Sequence, residues 1–104
     1  MSVLIKTDWE ILNATADDWE NLEQIYRLIG HFDGPGSGRK PNLQEIADAV
    51  RSLVEQDLLA ARLEDGTMIA SRTPEVSYVW RAWFHMTPAG RNAWSAATPE
   101  ALAT

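Results

Sequence analysis

The chain contains no cysteine, so neither a disulfide nor a thiolate-ligated zinc site is available to it. Histidine is nearly missing too. His31 and His85 are far apart in sequence, and no third ligand-spaced group accompanies them, so no metal is expected. No apolar run approaches membrane-spanning length, and the apolar part of Met1-Ser2-Val3-Leu4-Ile5-Lys6 is too short for a signal peptide. Positive charge is scarce: nine Lys and Arg stand against 15 Asp and Glu, a formal charge of -6. That balance opposes a general affinity for phosphate backbones. These absences predict a cytoplasmic protein with no membrane segment, metal or cofactor.

At 104 residues the chain is long enough for one domain with a modest core and too short for two, so 1–104 is read as a single unit. Its 45% apolar content argues against disorder. The charge is uneven. Residues 1–38 carry two basic and seven acidic groups, whereas residues 39–104 carry seven basic and eight acidic ones. A local positive patch is therefore possible only in the second part.

Three helix signals come first. Thr7 and Glu10 have the spacing of a capping box, followed by Trp9 and Leu12 on one face, which predicts a helix over about 8–16. Asp17 and Glu20 repeat that spacing before Trp19, Leu22, Ile25, Tyr26 and Ile29, a helical stripe predicting a second helix over about 18–30. Gly30 is a natural stop. Residues 33–41, Asp33-Gly34-Pro35-Gly36-Ser37-Gly38-Arg39-Lys40-Pro41, read as a loop. Asn42 and Glu45 then cap a third helix over about 42–57. Its apolar stripe is Leu43, Ile46, Ala47, Val50, Leu53 and Val54, and its outer face carries Gln44, Glu45, Asp48, Arg51 and Ser52.

The pattern then changes. Leu58 to Glu64 reads as a strand, and Asp65-Gly66 favours a tight turn because both positions tolerate positive φ. Thr67 to Ser71 is a candidate return strand, and Pro74 interrupts. Tyr78 to Met86 reads as a further strand, with Tyr78, Trp80, Ala82, Phe84 and Met86 on one face and Val79, Arg81, Trp83 and His85 on the other. Thr87 followed by Pro88 caps a short C-terminal helix over about 88–97, in which Trp94 packs back on the core. Thr98-Pro99-Glu100 repeats the start signal at the tail.

From Trp9 to Trp94 this order resembles the winged helix-turn-helix domains of bacterial transcriptional regulators, the group that includes the MarR-like and PadR-like families. Three stretches carry the resemblance: Trp9 to Ile29 is similar to the first two helices, Leu53 to Gly66 to a recognition helix running into a wing strand, and Phe84 to Trp94 to the strand-to-helix exit after the wing. The resemblance implies an α+β winged helix-turn-helix fold with three helices, a β-hairpin wing over about 58–87 and a short C-terminal helix. It further implies a DNA-binding regulator acting as a dimer on double-stranded DNA. Contacts would come from Gln44, Glu45, Asp48, Arg51 and Ser52 of the third helix, with Arg39 and Lys40 before it and the wing arginines Arg62, Arg72 and Arg81.

The residues themselves hold other readings open. The third helix is acidic, with Arg51 against Glu45, Asp48, Glu55 and Asp57, which points to an interaction module that binds protein rather than DNA. The loop 33–41 is not a phosphate-binding P-loop, since Arg39 breaks the Gly-Lys pair and a helix precedes it. Gly38-Arg39-Lys40-Pro41 is a fragment of an A·T-hook pattern, a plain connector, or a place where Arg39 and Lys40 touch phosphate beside the third helix. Tyr78, Trp80, Trp83 and Phe84 occupy both faces of one strand, which cannot pack both on the same core, so Trp83 beside Val79 and His85 is a candidate contact surface, and Tyr78, Trp80 and Trp83 together are the candidate protein interface. The alternative is that the C-terminal helix or Val3, Leu4 and Ile5 cover it. A small-molecule sensor with tryptophan pocket walls is a third reading. Ser37 and Ser95 lack a nucleophile-elbow or triad context, and Asp17-Asp18 suits a helix start, so no enzyme is expected.

Overall fold

The computed structural model describes residues 5–29 and 41–97. In chain order these form α1 (Lys6–Ala14), β1 (Glu20–Asn21), α2 (Leu22–Ile29), α3 (Leu43–Glu55), β2 (Leu59–Arg62), a 3-10 turn (Ser77–Trp80), β3 (Trp83–Met86) and α4 (Pro88–Ala96). The three strands make one antiparallel sheet with β3 in the middle, in the order β1-β3-β2. The fold is therefore α+β. In register, Leu59 stands beside Met86 and Ala61 beside Phe84, which also pairs with Glu20. Ala60 faces His85, and Arg62 and Asn21 both face Trp83. Side chains alternate across a strand, so Leu59, Ala61, Phe84 and Met86 enter the core while Ala60, Arg62, Trp83 and His85 lie on the outer face.

Local chemistry explains where the elements begin. α1 starts earlier than the Thr7–Glu10 spacing predicts, because the backbone N–H of Ile5 donates to the Asp8 carboxylate at 3.3 Å, and Thr7 falls inside the helix. The second helix begins at Leu22, not near Asp17. Asn21 and Gln24 cap it reciprocally: Gln24 N–H donates to the Asn21 side chain at 2.9 Å, and Asn21 N–H to the Gln24 side chain at 3.2 Å. Glu20 and Asn21, expected in the helix, instead pair with β3, a non-local partner that no local periodicity reveals. α3 begins as expected, with Asn42 and Glu45 exchanging bonds of 2.8 and 3.1 Å.

The end of α3 departs from the glycine rule. Leu58 N–H bonds Leu53 C=O and Asp57 N–H bonds Val54 C=O at 3.0 Å each, the Schellman pattern, yet the left-handed position is held by Asp57 at φ 61°. Thr87 stitches this turn to α4. Its hydroxyl donates to Asp57 C=O at 2.6 Å and accepts from Gly90 N–H at 2.9 Å, with Pro88 in the first turn as the sequence predicts.

Beyond β2 the chain makes a long excursion before β3. A three-residue turn closes on Leu63, whose N–H donates to Thr67 C=O at 2.8 Å. Only Gly66 takes positive φ, at 93°, while the Asp65 carboxylate accepts from Thr67 N–H. The expected return strand is reduced to a bridge between Arg62 and Met68. The expected nine-residue strand Tyr78 to Met86 is also shortened. Its first half is the 3-10 turn, in which adjacent Tyr78 and Val79 are both buried, an arrangement that strand alternation forbids. Trp80 is turned out to solvent.

The core lies between the helices and the inner sheet face, built on Ile11, Leu12, Ile25, Ile46, Val50, Leu53, Leu59 and Phe84. Buried Thr15 ends α1 with its hydroxyl on Ile11 and Leu12 C=O, while its own carbonyl accepts from Met86 N–H at 3.1 Å. Trp94 packs back on the core as expected. It stacks on Trp9 with ring centroids 6.2 Å apart, and the Trp9 indole N–H donates to Trp94 C=O. Arg91 donates to Ala16 C=O at 2.9 Å and so ties α4 to the end of α1.

Candidate interaction surfaces

The outer sheet face is the first surface. Trp19 lies over it, with the Arg62 guanidinium 4.3 Å from its ring centroid and the His85 ring at 5.4 Å. A recess of about 270 Å³ beside this stack is walled by Trp19, Arg62, Glu64 and Trp83. Trp19, read from sequence as part of a buried helical stripe, is thus half-exposed cover for the sheet.

The same Trp83 and Glu64 continue into a larger groove of about 660 Å³ between α2 and the excursion. Its apolar walls are Leu22, Tyr26, Leu43, Trp80 and Trp83. Tyr26 is 42% exposed, Leu43 37% and Trp80 50%. These are three of the seven exposed large apolar side chains among the described residues; the other four, Ile5, Leu28, Met68 and Val76, line neither recess. The groove's charges sit on opposite walls: Glu23 and Arg27 on α2, Glu64 and Arg81 on the excursion. Arg27 bonds Glu23 at 2.6 Å and Arg81 bonds Glu75 at 3.2 Å, both exposed pairs of the weak surface kind. Among the described residues Glu64 has no such partner.

The exposed face of α3 is the second surface. Gln44 donates to Asp48 at 3.0 Å, Glu45 is engaged in the N-cap, Arg51 lies 3.9 Å from Glu55, and the Ser52 hydroxyl accepts from Gln56. No arginine of this helix projects unopposed, and the acidic character read from sequence is what this face presents. Arg72 is exposed on the excursion, well apart in sequence from Arg62 on its tryptophan. Arg39 and Lys40, with His31, Ser37 and the tail from Thr98, lie outside the described residues.

The three residues predicted as one protein interface divide. Tyr78 is a core residue, and its hydroxyl is buried without a hydrogen-bond partner. Burial raises its pKa, Glu55 adds to the rise, and Arg51 opposes it. Trp80 and Trp83 do come together, at the groove. Sequence reasoning missed Tyr26 and Leu43, which it assigned to buried stripes. On α2, Leu22, Ile25 and Ile29 complete the buried face without Tyr26.

Among the described residues no three His, Asp or Glu side chains are grouped to hold a metal ion, and no helix is long and apolar enough to cross a membrane. Burial raises the carboxyl pKa of Asp8, Glu10 and Glu20. A backbone N–H of Ile5 opposes this at Asp8, Lys6 opposes it at Glu10, and Asp18 reinforces it at Glu20. None of the three lines either recess, although Glu20 sits between Trp19 and Asn21, which do. No protein-family model, curated protein or solved structure matches the chain.

Proposed function

We propose that this chain is a winged-helix interaction module that works by binding protein through the aromatic groove. The order α1-β1-α2-α3-β2-β3 with β3 central supports the winged-helix reading, with the excursion between β2 and β3 in the position of the wing. The observation that carries the function is the clustering of Tyr26, Leu43, Trp80 and Trp83 on one solvent-open groove. Contiguous exposed aromatic surface costs solubility and marks contact sites, whose buried centres are rich in Trp and Tyr. The formal charge of -6 weighs the same way, as does the placement of Arg62 on the Trp19 ring and of Arg91 on the Ala16 carbonyl, since phosphate contacts need free cations.

A second reading, a dimeric cytoplasmic transcriptional regulator of bacterial type, is favoured by one observation. α3 directly precedes β2 and presents the exposed polar row Gln44, Asp48 and Ser52, with exposed Arg72 on the excursion. Arg39 and Lys40 adjoin α3 in sequence. Single carboxylates there would accept from cytosine N4, while the helix as a whole repels the backbone.

Site-specific photocrosslinking separates the two. A photoreactive phenylalanine analogue is placed at Trp80 in one variant and at Ser52 in another. Protein adducts at position 80, with none to nucleic acid at position 52, support the module. Duplex adducts at position 52 that fade steeply with salt would establish the regulator instead.

A further inference from the structure

We infer that the occupant of the aromatic groove is a second copy of this chain, docked about a two-fold axis so that the α2 wall of each copy meets the excursion wall of the other. The inference rests on the interaction-module reading and specifies its partner. A two-fold interface is self-complementary, so the same patch must match itself in shape and in charge. The charges on the groove can meet the charge requirement. Each wall carries one acid and one base: Glu23 and Arg27 on α2, Glu64 and Arg81 on the excursion. In the register we infer, the two-fold exchange sets Arg27 of one copy against Glu64 of the other, and Glu23 against Arg81.

The rest of the molecule strengthens the argument by contrast. At -6 overall, two copies repel one another across most relative orientations. The groove is charge-balanced, with two glutamates and two arginines, so it offers an approach without net repulsion. Glu64, which has no ion-pair partner among the described residues of the single copy, gains one. The apolar centre is supplied by Tyr26, Trp80 and Trp83, whose aromatic surface is then removed from water at both ends of the axis. Arg27 and Arg81 give up or share exposed intrachain pairs of little strength, so the rearrangement costs little.

The test is sedimentation velocity over about 1 to 200 µM at physiological salt, the range in which a small, partly polar interface dimerises. Wild type is expected to shift from monomer to dimer across this range, and Trp80→Ala to raise the dimer dissociation constant at least about tenfold. Arg27→Glu alone makes each Glu64 face a glutamate, and Glu64→Arg alone makes each Arg27 face an arginine. Both variants are expected to stay monomeric. Mixed in equal amounts, they restore an attractive pair at both ends and are expected to form a heterodimer. That rescue also shows that both variants are folded. A wild type that remains monomeric overturns the second-copy inference. So does a mixture that stays monomeric, or a single reversal that dimerises like wild type. Protein adducts of another chain at position 80, together with a monomeric wild type, would leave the interaction-module reading standing and remove only this one.

Discussion

Gly90→Ala tests the packing of α4 because two effects of opposite sign compete at that position. Gly90 is a buried residue inside the helix Pro88–Ala96. By helix propensity alone, alanine there is more favourable by about 0.8–1 kcal/mol. A methyl group at this Cα, however, would lie deep inside the van der Waals shell of Leu58 C=O, with the Met86 Cγ at 3.0 Å. Met86 can swing away, but the Leu58 carbonyl cannot. It belongs to the turn that leads into β2 and accepts from Thr87 N–H at 3.2 Å. Relief therefore requires α4 to slide off the sheet, which strains Thr87 and its bonds to Asp57 and Gly90. Overpacking of this kind costs about 1–3 kcal/mol or more. With backbone as the obstacle the upper part applies, so the net loss should be about 2 kcal/mol after the propensity gain. For a domain of this size that lowers the midpoint of thermal unfolding by roughly 8–16 °C. Urea unfolding followed by circular dichroism gives the free energy directly, and an unchanged slope with a lower midpoint is the expected signature. A Gly90→Ala variant as stable as wild type, or more so, would falsify the close approach of α4 to Leu58 and with it the account of how the last helix is seated.

Two further outcomes follow from the same structure. Asp57→Gly should raise stability by about 0.5–1 kcal/mol in the same urea assay, because it relieves a left-handed non-glycine residue and removes a negative charge from a helix C-terminus, against the larger unfolded-state entropy of glycine. Loss of stability would mean that the Asp57 side chain contributes something its exposed position does not suggest. Glu10 is buried, and burial holds its folded-state pKa above the unfolded value, with Lys6 opposing. The sign is then fixed. A raised carboxyl favours the protonated native state, so the contribution is present below the ordinary carboxylate range and is lost as pH rises through the folded value. Glu10→Gln should therefore be the more stable protein at neutral pH and equal to wild type in acid, and a gap that widens on acidification would refute the burial argument.

Much of the fold was legible because the relevant signals are local. Asn42 with Glu45, and Thr87 with Pro88, are caps that act within four residues, so α3 and α4 begin where their sequences say. The inner face of β3 follows from the alternation of Phe84 and Met86. What was not legible depends on distant partners. β1 exists because Trp83 and Phe84 accept it as a neighbour, and without that knowledge Asp17 to Asn21 is a good helix start. The 3-10 turn at Ser77–Trp80 is fixed by the burial of Tyr78 and Val79 together, beside α3, which a strand-period reading of aromatic residues cannot anticipate. The groove suffered from the same gap. Strand alternation marked Trp83 as a surface candidate but put Trp80 on the face of Phe84, and Tyr26 and Leu43 complete the wall only because α2 and α3 bring them there. The exposure of both residues was hidden by apolar stripes that close without them.

The pairing of β1 with β3 also sets an order of events during synthesis. β1 lies in the first quarter of the chain, and its only strand neighbour lies near the end of the described residues, while Trp9 of α1 is closed over by Trp94 of α4. Loop-closure entropy must be met before either contact forms, and topologies of this kind fold more slowly than local ones. A nascent chain with three helices already outside the ribosome still lacks the central strand of its sheet and the lid over Trp9. Ile11, Leu12, Ile25 and Val50 stay partly uncovered until β3 and α4 emerge, so the chain without them is the species most prone to aggregate.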